Sequence, residues 1–179
     1  MDPWRRLGSQ RVHACRVFDL NRVRLAPPGR QDAGDFYVLT APDWVNVVPV
    51  TDDGRVVLIR QYRFGVEGFT LEIPGGMCDP GESPAQAAAR EMREETGHEA
   101  REIVPIGWVH PNPAIQANRC HSFLARGARP AGTREPDPNE EIEVVTARLD
   151  EIPRLIREGA ITHALVIAAF HMAALREGR

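Results

Sequence analysis

The order of hydrophobic and polar positions predicts strands in the first third of the chain. Partly alternating segments occupy residues 11–39 and are interrupted at residues 19–21 and 27–29, a pattern typical of a small antiparallel meander. Two β-branched runs at residues 45–50 and 56–60 flank an Asp-Gly dipeptide, which favours tight hairpin turns. We therefore expect two paired strands directly after the meander.

The clearest helix is predicted between Ser83 and Gly97. Ser83 can cap it, Pro84 suits its first turn, and Gln86 completes a capping box. Gly97 can end it in the left-handed conformation. One stripe of small and apolar side chains on this helix is expected to face the core: Ala85, Ala88, Ala89, Met92 and Thr96.

The remaining elements continue the mixture of strands and helices. They are predicted in this order: strands at residues 103–109 and 120–125, a loop at 126–139, a strand at 141–147, and helices at 150–158 and 162–177. This order, with strands, a helix, further strands and two closing helices, predicts an α+β fold. In such a fold the helices pack on the faces of a mixed sheet. The length of 179 residues and the 42% hydrophobic composition fit one substantial core.

Composition narrows the classes of function. The 22 basic side chains are all arginines and are spread along a chain of net charge −3, which disfavours a dedicated nucleic-acid-binding role. Three cysteines without metal-ligand spacing indicate a reducing, cytoplasmic setting. Because neither a signal-peptide pattern nor a bilayer-length apolar run is present, we expect a soluble, untargeted protein without a membrane partner.

Acidic side chains concentrate on the predicted helix. Glu91, Glu94 and Glu95 fan along its flank, at the border between buried and open surface. Like charges three or four residues apart repel, so a positive group should compensate them. Taken alone, such a run is typical of a solvated face laced with Glu–Arg pairs, formed here with Arg90 and Arg93. The alternative is a magnesium site, because Mg²⁺ prefers hard oxygen ligands together with substrate phosphates.

The surroundings of these glutamates favour the metal site. The segment at residues 76–97 closely resembles the signature of the Nudix hydrolases. Its pattern is Gly76, five residues, Glu82, seven residues, and then Arg-Glu-x-x-Glu-Glu-x-Gly at residues 90–97. The resemblance implies an α/β/α sandwich that hydrolyses a nucleoside diphosphate linked to another group, with Mg²⁺ or Mn²⁺. One position departs from the family pattern, since His98 stands where an aliphatic residue is usual, and we interpret His98 as structural.

The resemblance also implies a role for each residue of the motif. Glu91, Glu94 and Glu95 would hold the metal ions, and the backbone carbonyl of Gly75 would complete their coordination. Arg90 would orient the helix glutamates by salt bridging, while the loop glutamate before the helix would brace the turn. Cations at this place neutralise an anionic diphosphate and lower the pKa of a bound water.

Outside the motif, the sequence resembles the branch that contains ADP-ribose and nucleotide-sugar pyrophosphatases. Three features match that branch: the stretch RQYR at residues 60–63, the lead-in LEIPGG at residues 71–76, and Pro113 beyond the motif. By this resemblance Arg63, Glu72 and Pro113 are predicted to bind substrate, and Arg63 would clamp a phosphate. A merely exposed arginine and an ordinary proline turn are the alternatives.

Two further roles are assigned by position. Trp44 precedes the strand at residues 45–50 and could stack on a nucleobase, with core packing as the alternative interpretation. In similar enzymes the base that activates water comes from a late loop. Here we choose Glu140, with Glu141 as the alternate; an ordinary acidic solvent loop is the competing interpretation.

The resemblance divides the chain and predicts its activity. Residues 41–179 would form the Nudix domain, and residues 1–40 a β extension that builds a homodimer. We expect a Mg²⁺-dependent pyrophosphatase that cuts ADP-ribose or a nucleoside diphosphate sugar into a nucleoside monophosphate and a sugar phosphate. The alternatives are hydrolysis of a nucleoside triphosphate, coenzyme A or the 5′ end of RNA, and a non-catalytic nucleotide sensor.

Overall fold

The computed structural model describes residues 2–30, 32–134 and 141–178. Its elements follow in chain order: β1 (Arg5–Ala14), β2 (Asp19–Ala26), β3 (Gly34–Thr40), β4 (Trp44–Val50), β5 (Arg55–Arg63), β6 (Gly68–Glu72), β7 (Gly75–Met77), α1 (Pro84–Thr96), β8 (His98–Glu99), β9 (Glu102–Val109), β10 (Cys120–Arg126), β11 (Arg129–Pro130), β12 (Ile142–Arg148), a 3-10 turn (Leu149–Glu151), α2 (Ile152–Arg157) and α3 (Ala164–Arg176). Two compact units emerge, one of Met1–Pro42 with His110–Arg119 and one of Asp43–Val109 with Cys120–Arg179.

The first unit contains the antiparallel sheet β1-β2-β3, which confirms the predicted meander. The break expected at residues 19–21 is wrong, because the chain turns at residues 15–18 and β2 begins at Asp19. Asp and Asn favour turns, but here cross-strand partners satisfy them. Asp19 pairs with Arg11 at 3.3 Å, and Asn21 donates to a threonine on β3 at 3.0 Å.

The turn between β4 and β5 forms as predicted, but the two strands pair at a single position. Val50 lies opposite Val56 next to the turn, where Gly54 takes a positive φ of 78°. Beyond this pair β7 pairs with the start of β4, and β6 pairs with the end of β5. The paired strands expected from the sequence are thus reduced to one pair, because residues 68–77 supply strands that lie between them.

Helix α1 has the boundaries that its capping signals predict. The Ser83 side chain accepts from the Gln86 backbone N–H, and the Gln86 side chain accepts from the Ser83 N–H, so the capping box is complete. Gly97 ends the helix with a φ of 68°, in the left-handed region that glycine enters at little cost. Local signals alone therefore fix both ends.

The buried face of α1 is rotated from the predicted stripe. The prediction is wrong for Ala85 and Ala89, which are exposed, and it misses Ala87 and Glu95, which are buried. A run of alanines carries little periodic information, and a bond from the Gly75 N–H draws the Glu95 carboxylate to the buried side. The prediction is confirmed for Ala88, Met92 and Thr96.

The mixed sheet has the order β12-β5-β4-β10-β9 and lies between two hydrophobic clusters. On one face Val45 and Val47 of β4 pack with Met92 of α1. On the other face Val48 packs with Phe170 of α3. Alternate residues of one buried strand thus contact helices on opposite sides. This α/β/α arrangement confirms the predicted fold class and places the flank of α1 beside β7.

The later elements follow the predictions closely. Strands β9, β10 and β12 are confirmed within one residue at each end. The segment predicted as a loop at residues 126–139 contains the short strand β11, which pairs with β8, and its residues 135–139 lie outside the described residues. The helix expected at residues 150–158 is a 3-10 turn followed by α2, and the last helix is α3. No helix in the described part of the chain could span a bilayer.

Candidate active site

Arg90 ties together the acidic groups on and before α1. Its guanidinium donates to both oxygens of Glu82 at 3.0 Å, to Glu91 at 2.9 Å, to Glu94 at 3.0 Å and to the Met77 carbonyl at 3.0 Å. These bonds, the Glu82 bonds first, raise the pKa of Arg90 and lower that of Glu82. The positive group that the charge pattern requires is therefore Arg90, and it holds two helix carboxylates in a fixed array.

Glu95 joins the same site from the buried side. The residue is 3% exposed, and Oε2 accepts from the Gly75 N–H at 2.9 Å. A Cβ on Gly75 would overlap the Val45 carbonyl and Oδ1 of Asn46. The strand β7 can approach β4 this closely only because a glycine stands at that position.

Gly76 makes an equally close approach to α1. A Cβ on Gly76 would overlap the carboxylate of Glu91, so that carboxylate lies directly against the backbone of β7. The carbonyl of Gly75 and the three helix carboxylates are all hard oxygen donors, the kind of ligand that suits a divalent cation. In the described part of the chain, however, no three acidic, histidine or cysteine side chains already stand in metal-binding geometry. The donor set fits a cation in its chemistry, although its carboxylates are held by Arg90 and Gly75.

A further carboxylate, Glu72, lies buried on β6 three residues before Gly75. It accepts two bonds from Arg63, at 2.8 Å from Nε and 2.7 Å from the terminal nitrogen, one from Thr70 at 2.6 Å and one from Nδ1 of His163 at 2.9 Å. We call these four residues the Glu72 clamp. Burial alone would raise the pKa of Glu72, but the bonds from Arg63 and His163 outweigh it and bring the pKa well below its usual value.

The clamp shows where two predicted substrate-binding residues lie. Glu72 is 3% exposed, so its carboxylate is engaged within the protein. Arg63 keeps 43% of its side chain exposed, so it can meet both Glu72 and a ligand. Sequence reasoning missed both Thr70 and His163. His163 could not be found from local patterns, because it lies 91 residues away from Glu72. The one available signal was a histidine in the first turn of the helix predicted at residues 162–177.

The other predicted site residues occupy separate places. Trp44 is half-buried at the start of β4, opposite Met77 of β7. Pro113 is exposed in the first compact unit. Glu141 is exposed directly before β12, whereas Glu140 lies outside the described residues.

His98 has a structural environment. Its Nδ1 lies 2.8 Å from the backbone carbonyl of Thr96, and its residue pairs with Pro130 in the small β8–β11 ladder. A polar side chain therefore fits the aliphatic position of the motif by bonding to the end of α1.

Comparisons with known proteins match the part of the chain that carries these residues. The model of the NUDIX domain matches residues 42–170. An ADP-ribose pyrophosphatase of Bacillus subtilis is 28% identical over 172 residues, which cover 96% of this chain and 92% of that protein. A CMP-5'-(N-acetyl-N-hydroxy-3-aminopropyl)phosphonate hydrolase of Streptomyces rubellomurinus is 30% identical over 159 residues, which cover 87% of this chain and 75% of that protein.

A solved structure shows the same fold. The crystal structure of an ADP compounds hydrolase superposes with a TM-score of 0.85 at 24% identity, covering 99% of this chain and 94% of that one. The matched domain includes β4 to β7, α1 and the Glu72 clamp. From the domain match and the braced glutamates on α1, the chain belongs to the Nudix family of hydrolases.

Proposed function

We propose that this Nudix hydrolase cuts the diphosphate of ADP-ribose or a nucleoside diphosphate sugar and releases a nucleoside monophosphate and a sugar phosphate. The observation that carries the proposal is the Arg90 array, which holds Glu91 and Glu94 beside the glycine backbone of β7. The substrate class is supported by the Bacillus subtilis ADP-ribose pyrophosphatase, whose similarity spans 96% of this chain.

The proposed cofactor is Mg²⁺, with Mn²⁺ as the alternative. The Gly75 carbonyl, Glu91, Glu94 and Glu95 would hold it, and when bound it would neutralise the diphosphate and lower the pKa of a water. Arg90 takes Oε1 of Glu91 and Oε2 of Glu94. A carboxylate has about four acceptor sites, so each can serve Arg90 and a cation together.

Side chains outside the array would bind substrate and move the proton. Arg63, exposed on one side and fixed by Glu72 on the other, would contact a phosphate. Trp44 would stack on the base, and Pro113 is proposed to bind substrate, as its position in the branch pattern implies. Glu140, or Glu141 in its place, would accept the proton of the attacking water.

The assembly we propose is a homodimer formed through residues 1–40. Strand β1 is exposed along all ten residues and forms an edge of its sheet, where unpaired backbone groups can receive another chain. Trp4 stacks edge-to-face on Phe36 with ring centroids 5.6 Å apart, and both rings are exposed. Large exposed aromatic groups are typical of interfaces.

We place the protein in the cytoplasm. The cysteines Cys15, Cys78 and Cys120 are free thiols in the structure, as a reducing compartment would keep them. Fractionation of cells that produce the protein would check this placement, and recovery outside the cytoplasmic fraction would contradict it.

Incubation with Mg²⁺ and a panel of substrates tests the reaction. We expect ADP-ribose or a nucleoside diphosphate sugar to give the highest kcat/KM, and chromatography to identify a nucleoside monophosphate as a product. Preferred cleavage of a nucleoside triphosphate, coenzyme A or capped RNA would replace the substrate assignment. Binding without cleavage under every metal would indicate a nucleotide sensor instead.

Glu94→Gln tests whether the Arg90 array binds the metal ion. The substitution keeps the volume of the side chain and removes one negative charge, so we expect kcat/KM to fall by about 100-fold or more, the scale of losing one electrostatic contact to a developing charge. The Mg²⁺ concentration for half-maximal activity should rise. Glu99→Gln, at an exposed glutamate of β8, is the control and should retain full activity. Equal activity of both variants would refute the array.

Glu140→Gln tests the assignment of the base. Loss of a general base lowers kcat by about 10²- to 10⁴-fold, while metal binding should stay near that of the wild type. Glu141→Gln is the matched variant at the next residue and should retain most activity. If Glu140→Gln turns over substrate normally, the base is Glu141 or a glutamate of α1.

Dimer formation is tested by light scattering at micromolar concentration. The mass should be twice the chain mass of 19.9 kDa. Val12→Asp places a charge on exposed β1 and should shift the protein toward monomer, whereas Val66→Asp, at another exposed valine outside the first unit, should not. A monomeric wild type would disprove the dimer.

A further inference from the structure

His163 stands where helices commonly carry a capping side chain. It is the residue before α3, and its side chain makes no capping bond to that helix. A serine, threonine, aspartate or asparagine at such a position normally accepts from a backbone N–H of the first turn. The imidazole instead lies with Nδ1 2.9 Å from Oε2 of Glu72. This histidine is therefore used for a contact with β6 and not for the start of its own helix.

The partner of His163 determines which ring nitrogen carries the proton. Hydrogen bonds hold the pKa of Glu72 well below its usual value, despite burial, so Glu72 is ionised near neutral pH. An ionised carboxylate only accepts hydrogen bonds, and Nδ1 must therefore be the donor. The bond is charge-assisted, which makes it stronger than a bond between neutral groups.

His163 and Arg63 bind the same oxygen of Glu72. The terminal nitrogen of Arg63 donates to Oε2 at 2.7 Å, and Nε donates to Oε1 at 2.8 Å. Thr70 occupies Oε1 as well, at 2.6 Å. Rotation of the carboxylate would break bonds on both oxygens, so the plane of the Arg63 guanidinium is fixed by partners on β6 and before α3. The exposed part of Arg63 is therefore oriented through the buried carboxylate of Glu72.

We propose that His163 is a positioning residue for substrate binding: its N–H holds the Glu72 carboxylate, and through it the Arg63 guanidinium, in the orientation that receives a phosphate. The inference rests on the phosphate role of Arg63 in the proposed function. Because neither His163 nor Glu72 belongs to the Arg90 array, the expected effect is on the affinity for a diphosphate and not on the activation of water.

His163→Ser separates this role from the stability of α3. Serine caps helices well, so α3 keeps its start while the bond to Glu72 is lost. We expect KM for ADP-ribose, and Kd for inorganic pyrophosphate with Mg²⁺ measured by calorimetry, to rise about tenfold, the factor for losing a hydrogen bond to a charged group. The kcat should change by less than about threefold, since the chemical step is untouched.

A double-mutant comparison shows whether His163 acts through Arg63. In an Arg63→Ala background, His163→Ser should leave both constants unchanged, because the group that it positions is absent. His171→Ser, at an exposed histidine of the same helix, is the control and should behave as wild type. Unchanged constants in His163→Ser, or an equal increase in both backgrounds, would overturn the proposal.

Nitrogen-15 NMR of the wild-type imidazoles supplies a test that needs no turnover. The resonances of His163 should show a proton on Nδ1; an imidazole protonated on Nε2 alone would refute the role. If the wild type cleaves no ADP-ribose, the proposed function fails, while weaker pyrophosphate binding by His163→Ser would still support the link to Arg63. The two failures are thus distinguishable.

Discussion

The positive charge of Arg90 makes the acidic flank of α1 compatible with a folded protein. Two like charges about 4 Å apart repel by about 4 kcal/mol at an effective dielectric constant of 20, and Glu82, Glu91 and Glu94 all converge on this region. One guanidinium with five donors in a rigid plane satisfies these three carboxylates and a backbone carbonyl together. The site is therefore organised before any cation arrives, and a lysine could not replace this geometry.

Residues of one short stretch of chain, β6 and β7, bond both to the groups around the Arg90 array and to the partners of the Glu72 clamp. Strands β6 and β7 separate β4 from β5, and they carry Glu72 toward one set of partners and Gly75 toward another. Three residues span at most about 11 Å, so Glu72 and Gly75 lie close together although they bond to different partners. Most of these groups lie on strands or on the capped helix α1, which fixes their spacing; Glu82 and His163 are the members that lie in loops.

Local signals were sufficient for the parts of the fold that depend on neighbouring residues. The cap at Ser83, the end at Gly97 and the motif glutamates all follow from residues a few positions apart, and the sequence therefore predicts α1 and the acidic array. The separation of β4 from β5 and the contact of His163 with Glu72 depend on residues far apart in the chain. No periodic pattern encodes such contacts, and the alanine-rich face of α1 carried too weak a pattern to orient it.

The parallel pairing of β4 with β10 has a consequence for biosynthesis. Trp44 lies beside Cys120, so the central strand leaves the ribosome long before its parallel neighbour exists. At about 5–20 residues per second, that delay lasts several seconds. During this time the valines of β4 have no neighbouring strand on the side where β10 will pair. Contacts so distant in the chain also form late in folding. A nascent chain that stops before β10 would contain every glutamate of the motif. It would still lack Phe123 and Ala125, which pack with Met92 of α1 in the finished sheet.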